Sequence, residues 1–140
     1  MSAMDEGAIA ALRDLYSDLE IDGRVLDLGE PSREHFEYPP DHLVPFDGDP
    51  AELPYADAEF DDVICHGKVA QAAFPEAARV LKPRGHFVCT FVGGPDDAGY
   101  VKKLRKWFAA TDSFTGAQSD LRTSLTGSGD RLWAVWSAKR

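Results

Sequence analysis

Ile9, Leu12, Tyr16 and Leu19 recur at spacings of three and four, which predicts an amphipathic helix over residues 4–19. Ser2-x-x-Asp5 ahead of it has the form of a capping box. Asp22-Gly23 reads as a turn, and residues 24–29 (Arg-Val-Leu-Asp-Leu-Gly) as a short buried strand. Pro31, Pro39 and Pro40 then exclude a helix of more than two turns across residues 30–41. Residues 42–47 read as a strand at a sheet edge, because Pro45 cannot donate a ladder hydrogen bond.

Further on, residues 61–66 read as a strand. Val69, Ala73, Ala77, Val80 and Leu81 predict a helix over 68–81, stopped by Lys82-Pro83-Arg84-Gly85. Residues 86–92 read as an apolar strand. Residues 97–110 read as a helix with Val101, Leu104 and Phe108 inward. Strands at 118–125 and 131–138, joined by Gly127-Ser128-Gly129-Asp130, close the chain as a hairpin. Strands alternating with helices before a final hairpin predict an α/β fold, a mainly parallel sheet with an antiparallel edge.

At 140 residues this pattern predicts one domain, residues 1–140. The net charge of −9 is unevenly spread. Residues 1–62 hold 18 acids and 3 bases, while residues 63–140 hold 6 acids and 12 bases. An acidic chain is a poor general nucleic-acid binder, and Lys102-Lys103-Leu104-Arg105-Lys106 reads first as the solvated face of its helix. Cys65 and Cys89 have no Cys-x-x-Cys spacing, which predicts buried, reduced thiols and a cytoplasmic setting. No apolar run approaches the roughly 20 residues that span a bilayer. The acidic N-terminus lacks the basic start of a signal peptide.

Three segments carry a resemblance. They are Val25-Leu26-Asp27-Leu28-Gly29; Gly48-Asp49-Pro50-Ala51-Glu52-Leu53-Pro54-Tyr55 leading into Glu59-Phe60-Asp61-Asp62-Val63; and Glu76-Ala77-Ala78-Arg79-Val80-Leu81-Lys82-Pro83-Arg84-Gly85-His86-Phe87. Together, in this order and spacing, they resemble the class I S-adenosylmethionine-dependent methyltransferases of the small-molecule, UbiE-like or type 11 kind. The resemblance implies a Rossmann-like sheet whose ligands sit outside the carboxyl ends of the strands. It implies S-adenosylmethionine as cofactor, with Asp27, Gly29 and Glu30 beside it. Asp49, Pro50 and Ala51 would lie around the adenine, and Cys65-His66-Gly67 would border the methyl group and the substrate.

The family's pattern continues past Asp-Leu-Gly through two further glycines, a helix and a second strand ending in a ribose-binding acid. Here Glu30-Pro31-Ser32 follows Gly29, and only residues 30–41 precede His42. Either residues 42–47 are the second strand, with Asp47 as the ribose acid, or they are the third strand and one helix and one strand are missing. The match after Gly48 favours the second alignment, which leaves no ribose acid and a degenerate cofactor site. Two lost hydrogen bonds to charged groups, at about 1.5–3 kcal/mol each, would weaken binding roughly 10²–10⁴-fold.

His66, at the end of a central strand, is the candidate general base, against the plainer reading of a structural histidine. His35, His42, Asp47 and Asp49 have spacings that match no metal motif, so no metal is expected. No Ser-His-Asp arrangement or P-loop is present. In the terminal strand one of Trp133 and Trp136 is expected to face out and suggest an interface. Three functions fit: a compact small-molecule methyltransferase with a degenerate site, a non-catalytic methyltransferase-fold partner or regulatory subunit, or a binder of another adenine-containing ligand. The missing strand also exposes a sheet edge, where a second copy or a partner chain is expected.

Overall fold

A computed structural model describes residues 6–29, 35–36, 39–94, 97–116, 118–122 and 131–140. The elements run α1 (Glu6–Asp18), β1 (Arg24–Asp27), β2 (His42–Pro45), β3 (Asp62–His66), α2 (Ala73–Val80), β4 (His86–Gly93), α3 (Ala98–Ala110), β5 (Gln118–Arg122) and β6 (Arg131–Ala138). The strands form one six-stranded sheet in the order β2-β1-β3-β4-β6-β5. The first four are parallel, and β6 is antiparallel to both β4 and β5. This is the Rossmann-like methyltransferase sheet with an antiparallel C-terminal hairpin. The capping box at Ser2–Asp5 and the turn at Gly127–Asp130 lie outside the described residues.

Side-chain alternation splits the core in two. On one face Leu12, Leu15 and Tyr16 of α1 pack on Val25, Ile64, Val88 and Ala134. On the other, α2 and α3 cover Leu26, Val63, Cys65, Phe87 and Cys89. Phe74 of α2 anchors that second face, with ring centroids 5.0 Å from Phe87 and 4.8 Å from Phe108, both edge-on. Such pairs add to the burial energy of the rings themselves.

β2 pairs directly with β1, His42 beside Arg24 and Pro45 beside Asp27. In a doubly wound sheet that is the second strand's place. The segment with a third-strand sequence context therefore sits where a second strand belongs. No helix is described between β1 and β2, so one helix and one strand are missing after β1. Phe46 N–H donates to the Asp27 carbonyl at 2.9 Å. Phe46 thus faces β1, and by alternation Pro45 faces outward, where its missing N–H blunts the open edge.

Two expectations need correction. Helix α2 begins at Ala73 rather than Lys68, because the Tyr100 hydroxyl accepts from Val69 N–H at 2.8 Å and donates to Val69 C=O at 3.0 Å. The Val69 carbonyl that would accept a first-turn helical bond is already taken. In β6, Trp133 packs on the α2/α3 face and Trp136 on the α1 face, and both are half-buried. Both sheet faces are covered there, so neither tryptophan marks an open surface.

Phe74→Ala should lower unfolding stability by about 3–5 kcal/mol, the usual cost of emptying a buried aromatic site. Urea denaturation of the two proteins measures it; a loss under about 1 kcal/mol would mean the cluster is not the packing anchor.

Candidate functional site

Gly29, Asp49 and His66 lie at or just beyond the carboxyl ends of β1, β2 and β3, the edge where such sheets take ligands. Asp27 ends β1 at 1% exposure, on the α1 face with Val25. Its Oδ1 accepts the Gly29 N–H at 3.1 Å, so this carboxylate closes its own turn. Gly29 is pressed against β3: a Cβ there would overlap the His66 carbonyl oxygen and nitrogen. Only glycine lets β1 end so close to its neighbour. Glu30 lies outside the described residues.

His66 is 7% exposed, and its Nδ1 is 2.9 Å from Thr90 Oγ1 on β4. The ring meets His35 edge-on at 5.4 Å, and the next residue, Phe36, stacks on Tyr16 at 4.6 Å. The link after β1 thus folds two rings onto the α1 side of the edge. Tyr16, Asp27, His35, His66 and Thr90 form a buried polar group there. Burial, then the charge of Asp27, raises the Tyr16 phenol well above its ordinary range, and its buried hydroxyl has no hydrogen-bond partner among the described residues. Cys65 points to the opposite face, and burial followed by the Asp27 charge pushes its thiol up to about 12. It stays protonated and unreactive near neutrality. Its register partner Cys89 is likewise a buried free thiol with a raised pKa.

The Asp49 segment is different. Asp49 is exposed, Pro50 and Ala51 half-exposed, and Asp49 Oδ1 accepts Ala51 N–H at 2.9 Å. The loop behind it is fixed from α2. Arg79 donates to Leu53 C=O at 3.0 Å, to Tyr55 C=O at 2.8 Å and to Asp57 at 2.8 Å, and it pairs with Glu76 at 2.6 Å. Glu76 in turn accepts Leu53 N–H at 3.0 Å. One Glu-x-x-Arg pair on a single helical turn thereby holds both sides of the loop.

The structure thus brings Asp27, Gly29 and His66 together, puts Cys65 on the other face, and leaves Asp49, Pro50 and Ala51 facing solvent. Sequence reasoning missed Thr90 and Tyr16, and weighed His35 only as a metal ligand. Thr90 had a signal, as the one hydroxyl in an otherwise apolar run. His35 and Tyr16 had none, since their meeting depends on how the link folds. The two described cavities, of about 240 Å³ beside α1 (Arg13, Tyr16, Phe36) and about 410 Å³ at the amino-terminal edge (Asp61, Lys82, His86), touch none of Gly29, Asp49, Cys65 or His66.

This sheet and this edge define the fold class of S-adenosylmethionine-dependent methyltransferases. Residues 14–89 match the methyltransferase domain family, and the chain belongs to it. A methyltransferase from Thermotoga maritima shares the fold at a TM-score of 0.62 with 14% identity, covering 96% of this chain and 91% of that one. Geranyl diphosphate C-methyltransferase from Streptomyces coelicolor, solved with S-adenosyl-L-homocysteine, gives 0.65 with 11% identity over 94% and 80% of the two chains. A complex of the Haloferax volcanii Trm112 methyltransferase activator with a methyltransferase gives 0.62 with 16% identity over 99% of both chains. No curated protein sequence matches this one.

The Arg79 hydrogen bond, and after it the Leu53 N–H, hold the Glu76 carboxyl below its ordinary range. Its contribution is therefore present above the usual glutamate pKa, about 4.3, and lost as pH falls through the lowered value. Proteolytic cutting of the 49–58 loop should rise on acidification below about pH 4, with an acid-stable protease as probe. Glu76→Gln should already show the raised cutting at pH 7; an unchanged rate in that variant would rule out the staple.

Proposed function

We propose that this chain is a non-catalytic methyltransferase-fold protein with a degenerate cofactor site, acting as a partner or regulatory subunit in the cytoplasm as one domain. The observation that carries this is the inward commitment of Asp27 and His66. The carboxylate that would face the cofactor holds Gly29, and the candidate base is packed between Thr90 and His35. These residues do not fit S-adenosylmethionine: no described carboxylate on β1 is turned to a ligand, and rings of the β1–β2 link stand on the edge where its amino-acid part would lie. No transfer step is assigned to His66 or Cys65.

The expected partner side is the open edge at β2. Pro45 faces outward there, so within the strand only Leu43 offers an outward N–H, and a long added ladder is excluded. A partner chain or second copy would be held by side chains more than by strand pairing. The Haloferax fold relative, solved with an activator protein, supports a partner-dependent reading.

A second reading rests on the loop at Asp49–Ala51, which is exposed and stapled in place by Arg79. It favours weak binding of an adenine-containing ligand, S-adenosylmethionine included, with a small-molecule acceptor.

Calorimetric titration with S-adenosylmethionine, S-adenosylhomocysteine and adenosine separates the readings. The non-catalytic reading expects no dissociation constant tighter than about 1 mM, following the roughly 10²–10⁴-fold loss from missing charged contacts. Low-micromolar binding that Asp49→Ala removes would overturn it in favour of an enzyme. Millimolar binding of all three alike would place adenine alone in the loop.

A further inference from the structure

Lys68 follows Gly67 just past β3, and its ammonium sits on two aromatic rings. Nζ lies 4.0 Å from the Tyr100 ring centroid and 5.2 Å from that of Phe91. The two rings are 5.0 Å apart at an interplanar angle of 72°, so they are two walls of a corner, not a flat stack. Trp133 backs Phe91 in parallel at 6.2 Å and 6°, and its indole N–H donates to Gly93 C=O at 3.2 Å. The Tyr100 hydroxyl is fixed by both backbone groups of Val69. The walls are therefore held by contacts that do not involve the lysine. Gly67, at φ 112°, leaves open space where a side chain would stand.

Lys68 is exposed, and among the described residues it has no carboxylate partner. Residues 34–67 just before it carry ten acids and no lysine or arginine. Aromatic faces attract cations and repel anions, and a field of that sign draws cations in.

We propose that the Phe91–Tyr100 corner is a binding site for the ammonium group of a small amine, with Lys68 as its resident occupant. The lysine shows that the corner accepts an ammonium of that size and approach. A cation–π contact of an exposed side chain favours the seated lysine only about two- to five-fold. An incoming amine displaces it at little cost, and removing it should tighten amine binding about three- to six-fold. The corner lies on the same carboxyl edge, just past β3, but uses none of Asp27, Gly29, Asp49 or His66 and is away from β2, so its test is read separately from that of the function proposed above.

The test is an NMR titration of the full chain and of Lys68→Ala with choline. The neutral alcohol 3,3-dimethyl-1-butanol serves as a shape-matched control. Choline should give saturable shifts at the Val69 amide and the Trp133 indole, about three- to six-fold tighter in Lys68→Ala. Adding Phe91→Leu should weaken them about two- to five-fold; if that variant does not fold, Tyr100→Leu removes the other wall and should act alike. A folded Lys68→Ala protein with no saturable choline response would overturn the proposal. So would an equal response to the neutral alcohol, or choline binding indifferent to loss of both walls.

Discussion

The close approach of Gly29 to the His66 backbone is the constraint on which the ligand edge depends. β1 ends there against β3 with no room for a side chain, and the chain must turn at once. Asp27 closes that turn through the Gly29 N–H. With only residues 28–41 left before β2, the described residues of the link hold no α-helix, and β2 takes the place beside β1. A link that short lies against the sheet it leaves. His35 and Phe36 accordingly pack onto His66 and Tyr16. The α1 side of this edge holds a small buried polar core.

That core lies on the α1 side of the sheet, around His66 and Asp27. Two of its polar groups, His66 and Asp27, have partners within the protein. His66 meets Thr90 and Asp27 holds its own turn, whereas the buried Tyr16 hydroxyl has no hydrogen-bond partner among the described residues. Buried polar groups that are paired cost little, whereas the same groups unpaired would be expensive. The opposite face is unaffected. There the aromatic cluster of Phe74, Phe87, Phe108 and Phe114 packs α2 and α3 on the sheet. Through Glu76 and Arg79, α2 also holds the Asp49 loop in an orderly form. One side of the edge is thus rebuilt and the other retained.

Much of this was legible in the chain. The 3–4 spacing in α1, the apolar strand through Val88, the Pro-Gly stop after α2 and Pro45 as an edge marker all follow from local rules. The missing helix and strand could be read from the shortness and proline content of residues 30–41. The start of α2 could not, because Val69 is withheld from the helix by a tyrosine 31 residues away. The side of the sheet taken by Trp133 and Trp136 was fixed by alternation, but their cover was not.

By itself, then, the sequence determined the element types, the mostly parallel sheet, the family and the break after Gly29. These are consequences of local periodicity, backbone chemistry and short motifs. Only the tertiary structure decided that β2 fills the second strand's place, that His66 turns inward to Thr90, and that Lys68 rests in an aromatic corner. Each of those depends on contacts between residues 23 or more apart, or on the path of a short link, and neither leaves a mark in neighbouring residues.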